Sequence, residues 1–220
     1  MTVCLNLIVK DEAKTIERCL RAARPFIDSW CIVDTGSTDN TGQLVQRCLG
    51  DMPGELHERP WKDFAANRNE ALELARPWAD YVLLLDADME LSGNDKDVLR
   101  KLTAPAYSIQ QLRGNFGYYN VRVLRSDVPA TYTGVLHEYL NINTALTQIK
   151  SLHIIDHDNG VRTSYQDKFQ RDAAVLRAAL QADPTNARYT YYLAQSLRDS
   201  GDHAKAAMTY RQRAAMLGFV

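Results

Sequence analysis

Two carboxylates, Asp86 and Asp88, stand at the end of an unbroken apolar run, Tyr81-Val82-Leu83-Leu84-Leu85. Acidic side chains this close together favour a divalent cation, and their oxygen donors suit Mg²⁺ or Mn²⁺. The same spacing recurs at Asp95/Asp97 and Asp156/Asp158. The first of these follows Gly93-Asn94 and reads as a helix start, where carboxylates offset the dipole. Only Asp86/Asp88 follows a fully apolar strand. A second acidic turn, Asp34-Thr35-Gly36-Ser37-Thr38-Asp39-Asn40-Thr41, ends the apolar run Trp30 to Val33. Its Ser, Thr and Asp residues suit a turn and a helix cap. Asp34 is at the same time placed to accept hydrogen bonds from a nucleotide base or ribose.

The elements that must carry these turns read as an alternation. Val3 to Val9 is apolar with β-branched members and predicts a buried strand. Ile16, Cys19, Leu20 and Ala23 recur at helical spacing, and Pro25 ends that helix. Leu44, Val45, Cys48 and Leu49 mark a second helix, broken by Gly50, Pro53 and Gly54. Phe64, Arg68, Ala71 and Ala75 share a face of a third, from about Asp63 to Ala75. With the strand Tyr81 to Leu85 the order reads βαβαβαβ. That alternation predicts a mainly parallel sheet with helices on both faces, and such sheets bind ligands at the carboxyl ends of their strands. Both acidic turns fall there. Tyr107 to Leu112, Tyr118 to Leu124 and Gln148 to Ile155 follow as strands with few helix signals between them, an antiparallel addition.

After Gly160 the strand pattern stops. Phe169, Ala173, Leu176 and Leu180 predict a helix closed by Asp183-Pro184, and two more run from Ala187 to Ser200 and from His203 to Met216. Ala194, Leu197, Gly201, Ala206 and Tyr210 match the tetratricopeptide spacing of small, large, glycine, small and aromatic residues. Tyr189, Tyr191 and Tyr192 are expected to fill helix packing. The expected organisation is therefore a sheet domain over 1–160 and a helical region over 161–220.

Composition agrees with a folded protein: 45% hydrophobic and 24% charged residues with a net charge of −1 over 220 residues. No apolar run approaches the ~20 residues that span a bilayer. The N-terminus has no basic region ahead of an apolar one, so no signal peptide is expected. The four cysteines, Cys4, Cys19, Cys31 and Cys48, form no C-x-x-C. They read as small buried hydrophobes in a reducing compartment. The location expected is cytoplasmic or peripheral to a membrane. Charge is uneven: residues 1–160 sum to near −5 and residues 161–220 to near +4. An acidic front fits a metal site, and the basic back reads as a solvated helix face.

Taken together the motifs resemble family 2 glycosyltransferases of the GT-A fold, a Rossmann-like sheet with antiparallel additions, in a bacterial branch with a tetratricopeptide tail. The stretches that carry the resemblance are Leu7 to Glu12, Ile32 to Asp39, Asp63-Phe64 with Arg68-Asn69, Leu84 to Asp88, Leu136-His137-Glu138, His157 with Gly160, and Tyr191 to Ser196. It implies an inverting, metal-dependent transfer of a sugar from a nucleotide-sugar donor, a UDP-sugar first, to a hydroxyl acceptor. Carried over position by position, Val9, Lys10, Glu12, Asp34 and Ser37 would contact the nucleoside, and Asp63, Arg68 and Asn69 would flank it. Asp86 and Ala87 would meet the ribose side, and Asp88 with His157 would ligate Mn²⁺ or Mg²⁺. His137 and Glu138 match the acceptor-side motif, with Glu138 as general base. Two residues depart from the pattern. Asp11 stands where the family has Asn, and Met89 separates Asp88 from Glu90 where the family has an acidic residue next in line.

A saccharide is the first acceptor expected, with a hydroxylated DNA base or a peptide side chain as alternatives. A DNA acceptor would show strongly salt-dependent binding. A non-catalytic helical docking module is the competing class, disfavoured because a scaffold has no need of Asp34, Asp86 and Asp88. A nucleotidyltransferase would want a glycine-rich loop after the first strand, and Val9-Lys10-Asp11-Glu12-Ala13 has no glycine. Neither the donor sugar nor the oligomeric state is legible in the residues.

Overall fold

The computed structural model describes residues 1–157 and 167–217. The chain divides into two compact units. The first comprises Met1–Lys62, Ala66–Tyr132 and Leu140–Val161; the second comprises Asp63–Ala65, Thr133–Tyr139 and Arg162–Val220.

The first unit is built on one eight-stranded sheet. Its amino-terminal half holds β1 (Val3–Val9), β2 (Ser29–Asp34), β3 (Gly54–Glu58) and β4 (Tyr81–Leu84), with α1 (Ile16–Ala23), α2 (Thr41–Leu49) and α3 (Phe64–Ala75) between them. β1 pairs in parallel with both β2 and β4, and β2 pairs in parallel with β3. β1, β2 and β4 are nearly continuous apolar runs because helices cover both faces, and their side chains are almost all buried. Asn6 is the exception that holds the layers together: its amide donates to the carbonyls of Cys31 and Ala71, both at 3.0 Å, tying β1 to β2 and α3.

The alternation requires a strand between α2 and α3, and it lies at Gly54–Glu58, where Leu56 is the one apolar side chain among a glycine and three polar residues. Gly54 is there because a Cβ would sit 2.4 Å from the Trp30 carbonyl and 2.5 Å from its ring. The sheet continues with β5 (Met89–Gly93), β6 (Ala106–Arg113), β7 (Phe116–Arg125) and β10 (Leu146–Asp156), in the order β3-β2-β1-β4-β7-β6-β10-β5. β7 runs antiparallel to β4 and β6, and β5 antiparallel to β10. Two short strands, β8 (Ala130–Thr133) and β9 (Tyr139–Ile142), pair separately.

The expected helix after Asp95 is a short 3₁₀ turn, Val98–Lys101, so Asp95 and Asp97 serve a turn and not an α-helix dipole. The Asp97 amide donates to the Asp95 carboxylate at 3.1 Å. Asp158 and Gly160, named above, lie outside the described residues. All four cysteines are free; Cys4, Cys19 and Cys31 are buried and Cys48 is half-buried. Burial pushes the Cys4 thiol up to about 12. The Cys19 thiol is raised too, by burial and then by the Asp86 and Asp88 carboxylates. Neither Cys4 nor Cys19 is primed as a nucleophile.

The second unit contains α4 (Lys168–Ala182), α5 (Ala187–Asp199) and α6 (His203–Ala214). Asn186 and Asp202 cap α5 and α6 through their side chains. Gly201, at φ +88°, makes the turn between them. Leu136, Ala173, Leu176, Leu193, Leu197 and Ala206 form its core. Among the described residues no helix is long and apolar enough to cross a membrane.

Candidate functional site

At the carboxyl end of β1 and β2 two loops are knitted by side chains. The Asp34 carboxylate is buried and accepts the Gly36 and Ser37 amides through one oxygen, at 2.9 and 2.7 Å. This is an Asx turn, and Gly36 closes it at φ +105°, a conformation that favours glycine. The Val9 carbonyl accepts both the Thr35 amide and its hydroxyl. The Ser37 hydroxyl accepts the Asp11 amide at 2.9 Å, and the Thr41 hydroxyl accepts the Glu12 amide at 2.8 Å.

Asp11 has φ +54°, in the left-handed region that Asn and Asp tolerate best. Its carboxylate accepts the Thr38 amide and hydroxyl. The departure from Asn therefore keeps the backbone role and spends its negative charge on the turn. Lys10 is exposed at the tip of this pair of loops.

Asp86, just past β4, is gripped by two arginines. Arg68 reaches one carboxylate oxygen at 2.5 Å, and Arg122 approaches the other at 3.5 Å. Burial opposes ionisation of Asp86, and the two guanidiniums overcome it, holding its carboxyl below the ordinary range. Arg122 is itself buried and donates to Gln111 at 2.7 Å, whose amide donates to Asp156 at 2.9 Å. Asp86 lies just past β4, Arg122 within β7, Gln111 near the end of β6 and Asp156 at the end of β10, so one polar chain crosses four neighbouring strands. Asn69 uses its whole amide on Tyr132, accepting the amide at 2.7 Å and donating to the carbonyl at 2.9 Å. It thereby anchors β8, while Arg68 stacks over the Tyr132 ring at 5.6 Å. Ala87 is buried between the two aspartates.

The pairing of β5 with β10 sets Glu90 opposite Ile155, so His157, two residues on, returns to the same side. The His157 amide donates to the Asp88 carbonyl at 3.3 Å, which makes these two residues neighbours. Glu90 lies 2.9 Å from His157 Nε2, and Arg18 lies 4.0 Å from Glu90. A carboxylate at that distance can accept from Nε2–H.

Among the described residues, no group of three or more His, Cys, Asp or Glu side chains is arranged to hold a metal by itself. A divalent ion that takes several ligands from phosphates needs fewer from protein. Asp88 and His157, with Glu90 beside the imidazole, are the residues here that could offer donors to such an ion.

In the second unit, Asp63 precedes α3 and is half-buried. His137 and Glu138 occupy a tight turn. His137 has φ +51°, and its ring stacks on Tyr192 at 4.0 Å. Trp61, near the start of α3, is exposed. Arg122, Gln111 and Glu90 escaped the sequence reading as site residues. An arginine or glutamine in a strand reads as a solvent-facing position, and strand alternation, which would set Val121 and Val123 on the face opposite Arg122, reinforces that reading.

Residues 5–168 match the glycosyl transferase family 2 model. The chain belongs to that family. The SPbeta prophage-derived glycosyltransferase SunS of Bacillus subtilis is 23% identical over 211 residues, covering 89% of this chain and 49% of that relative. The lipopolysaccharide core biosynthesis glycosyltransferase LpsC of Rhizobium meliloti is 31% identical over 115 residues, covering 49% of this chain and 37% of LpsC. The chain thus spans about half the length of SunS and less of LpsC. Among solved structures, S. aureus TarS 1–349 in complex with UDP-GlcNAc superposes with a TM-score of 0.57 at 16% identity, covering 90% of this chain and 72% of TarS. The mixed α/β sheet, which fits a GT-A fold, is therefore common ground with TarS.

Proposed function

We propose that this chain is an inverting, metal-dependent glycosyltransferase that moves a sugar from a UDP-sugar to a hydroxyl of a saccharide. The observation that supports the reading is that Asp34, Asp86 with its partner Arg68, and the neighbouring pair Asp88–His157 all follow strands of one sheet, Asp34 at the end of β2, Asp86 just past β4 and His157 just past β10. The UDP-GlcNAc bound to TarS supports a UDP-sugar donor, and the lipopolysaccharide role in the name of LpsC supports a saccharide acceptor.

In this reading the loops at 9–12 and 34–37 receive the nucleoside, and the unshared Asp34 oxygen accepts from base or ribose. Arg68 and Arg122 keep Asp86 anionic and in place. Asp88 and His157 would hold Mn²⁺ or Mg²⁺, which supplies Lewis-acid stabilisation of the departing diphosphate when bound. The acceptor oxygen attacks the anomeric carbon from the face opposite the diphosphate. The bond from that carbon to the β-phosphate oxygen breaks, and its electron pair leaves with the diphosphate. Glu138 takes the proton of the acceptor hydroxyl. One displacement inverts the anomeric carbon.

A donor screen tests the reading: thermal shift and released nucleoside diphosphate across UDP-, GDP-, CMP- and dTDP-sugars, with and without Mn²⁺. A metal-dependent response to a UDP-sugar is expected. A folded chain that answers to no donor overturns it and favours a docking module. Glu138→Gln should lower turnover by about 10²–10⁴-fold and leave donor affinity unchanged. Loss of donor affinity in that variant would sink the base assignment.

Glu90→Ala frees the His157 ring to turn and to change tautomer. Mn²⁺ affinity in the presence of UDP should fall by about 10–100-fold, the usual consequence of losing the partner behind a ligating histidine. Electron paramagnetic resonance of free Mn²⁺ measures it, and an unchanged affinity would exclude His157 as a ligand.

The α5–α6 hairpin is proposed as a tetratricopeptide-like unit at the end of a sheet domain over 1–160. Buried Ala194, Leu197 and Ala206, the glycine turn at Gly201 and the edge-on Tyr191–Tyr210 pair support it. A cytoplasmic location is proposed with it, supported by the four free cysteines.

A further inference from the structure

We propose that the helices of the second unit position the acceptor-side turn, with Arg188 and Tyr192 as positioning residues that hold Glu138 in place through its neighbour His137. This rests on the reading of Glu138 as the base.

The turn is held in a costly shape. Gly134 has φ +117°, and a Cβ there would meet the Glu138 Cα and the Leu136 carbonyl at 3.3 Å. Three residues later His137 adopts φ +51°. A side chain in the left-handed region is disfavoured and persists only where the surroundings over-determine it.

The surroundings here are α5. Arg188 donates to the His137 carbonyl at 2.7 Å, a charge-assisted bond to the strained residue itself. The Tyr192 ring lies under the His137 imidazole at 4.0 Å with only 13° between their planes. The Arg188 guanidinium lies 5.0 Å from the Tyr192 ring centre and 4.8 Å from that of Tyr139, so one cation joins both flanks of Glu138. The Val135 amide donates to the Tyr189 hydroxyl at 3.3 Å. Leu136 is buried in the core formed by α4, α5 and α6. From Val135 to Tyr139, the residues on both sides of Glu138 are fastened to the helices, through backbone, ring and aliphatic contacts at once.

A segment fastened only for stability would not need its strained residue held at the carbonyl and the ring together. Helices serving only to dock a partner would not need to invest Arg188 and Tyr192 inward. The arrangement instead fixes the backbone that bears a carboxylate whose placement within about 1 Å controls proton transfer.

The test uses the full chain with Arg188→Met, Arg188→Lys, Tyr192→Leu and Tyr192→Phe. Amide hydrogen exchange across residues 134–139 should rise by about tenfold or more in Arg188→Met and Tyr192→Leu, with exchange in β1 and β4 unchanged. The affinity for UDP with Mn²⁺ should stay within about twofold of the parent. The kcat for release of nucleoside diphosphate should fall by about 100-fold with the donor KM unchanged. Tyr192→Phe should behave as the parent, and Arg188→Lys should recover part of the loss. Retained protection of 134–139 in both disruptive variants would overturn the proposal, as would a loosened turn with undiminished kcat. Glu138→Gln separates the two readings: parental turnover in that variant removes the base assignment, while exchange at 134–139 still decides whether Arg188 and Tyr192 hold the turn.

Discussion

Asp88→Asn is expected to reduce release of nucleoside diphosphate by about 10³-fold or more. The substitution is isosteric and keeps the Asp88 carbonyl that receives the His157 amide. It removes one negative charge and aims an amide donor at the position where a cation would sit. The neighbouring aspartate is no substitute, because Asp86 is committed to Arg68 and Arg122. Several kcal/mol of Lewis-acid stabilisation are at stake, and about 4 kcal/mol corresponds to three orders of magnitude in rate. The measurement pairs product release with Mn²⁺ titration in the presence of UDP. Both should collapse together. Preserved Mn²⁺ affinity would move the metal away from Asp88, and preserved turnover would remove the metal from the reaction. The contrast with Glu138→Gln, where donor binding survives, separates a residue that holds the leaving side from one that serves the acceptor.

The part of this chemistry that was legible beforehand lies where side chains are buried on both faces. β1, β2 and β4 announce themselves as apolar runs, and the loops after them carry Asp34, Asp86 and Asp88 by simple adjacency. β3 did not, because Gly-Glu-Leu-His-Glu is a half-exposed edge whose glycine answers to the Trp30 ring from another strand. β6 and β7 pair outward as far as Arg113 and Phe116, two residues beyond the apolar segment that marks β7, because backbone pairing does not need apolar side chains. Glu90 illustrates the harder case. It stands one residue late in the motif, and the β5–β10 register carries it to His157. His137 shows the reverse. A polar residue in an acceptor motif invites a direct chemical role, and the fold adds contacts the motif does not show: its ring stacks on Tyr192 and its carbonyl accepts from Arg188. Adjacency in sequence finds residues that share a loop. Register and side-chain reach decide what each one touches.

Arg122→Met should cost about 3–5 kcal/mol of folding stability, the range for breaking a buried charge pair by removing one partner. Arg122 is buried in the sheet, with its guanidinium 3.3 Å from the Leu84 carbonyl and 2.7 Å from the Gln111 oxygen as well as facing Asp86. Methionine fills much of the volume but returns none of these contacts. Asp86 would keep Arg68 alone, and the Gln111 and Leu84 oxygens would lose a donor in a buried place. For a chain of this size the melting temperature should fall by about 10 °C. Arg122→Lys should recover part of the loss, since it restores the charge but not the fork that reaches two oxygens at once. The effect should also appear in ligand binding, because the chain from Asp86 to Asp156 ends next to both candidate metal ligands, Asp88 and His157. Urea denaturation of the parent and both variants, followed by UDP titration with and without Mn²⁺, measures the two effects. A destabilisation under about 1 kcal/mol would mean that Asp86 is held by Arg68 alone and that the polar chain across β4, β7, β6 and β10 carries no strain-bearing role.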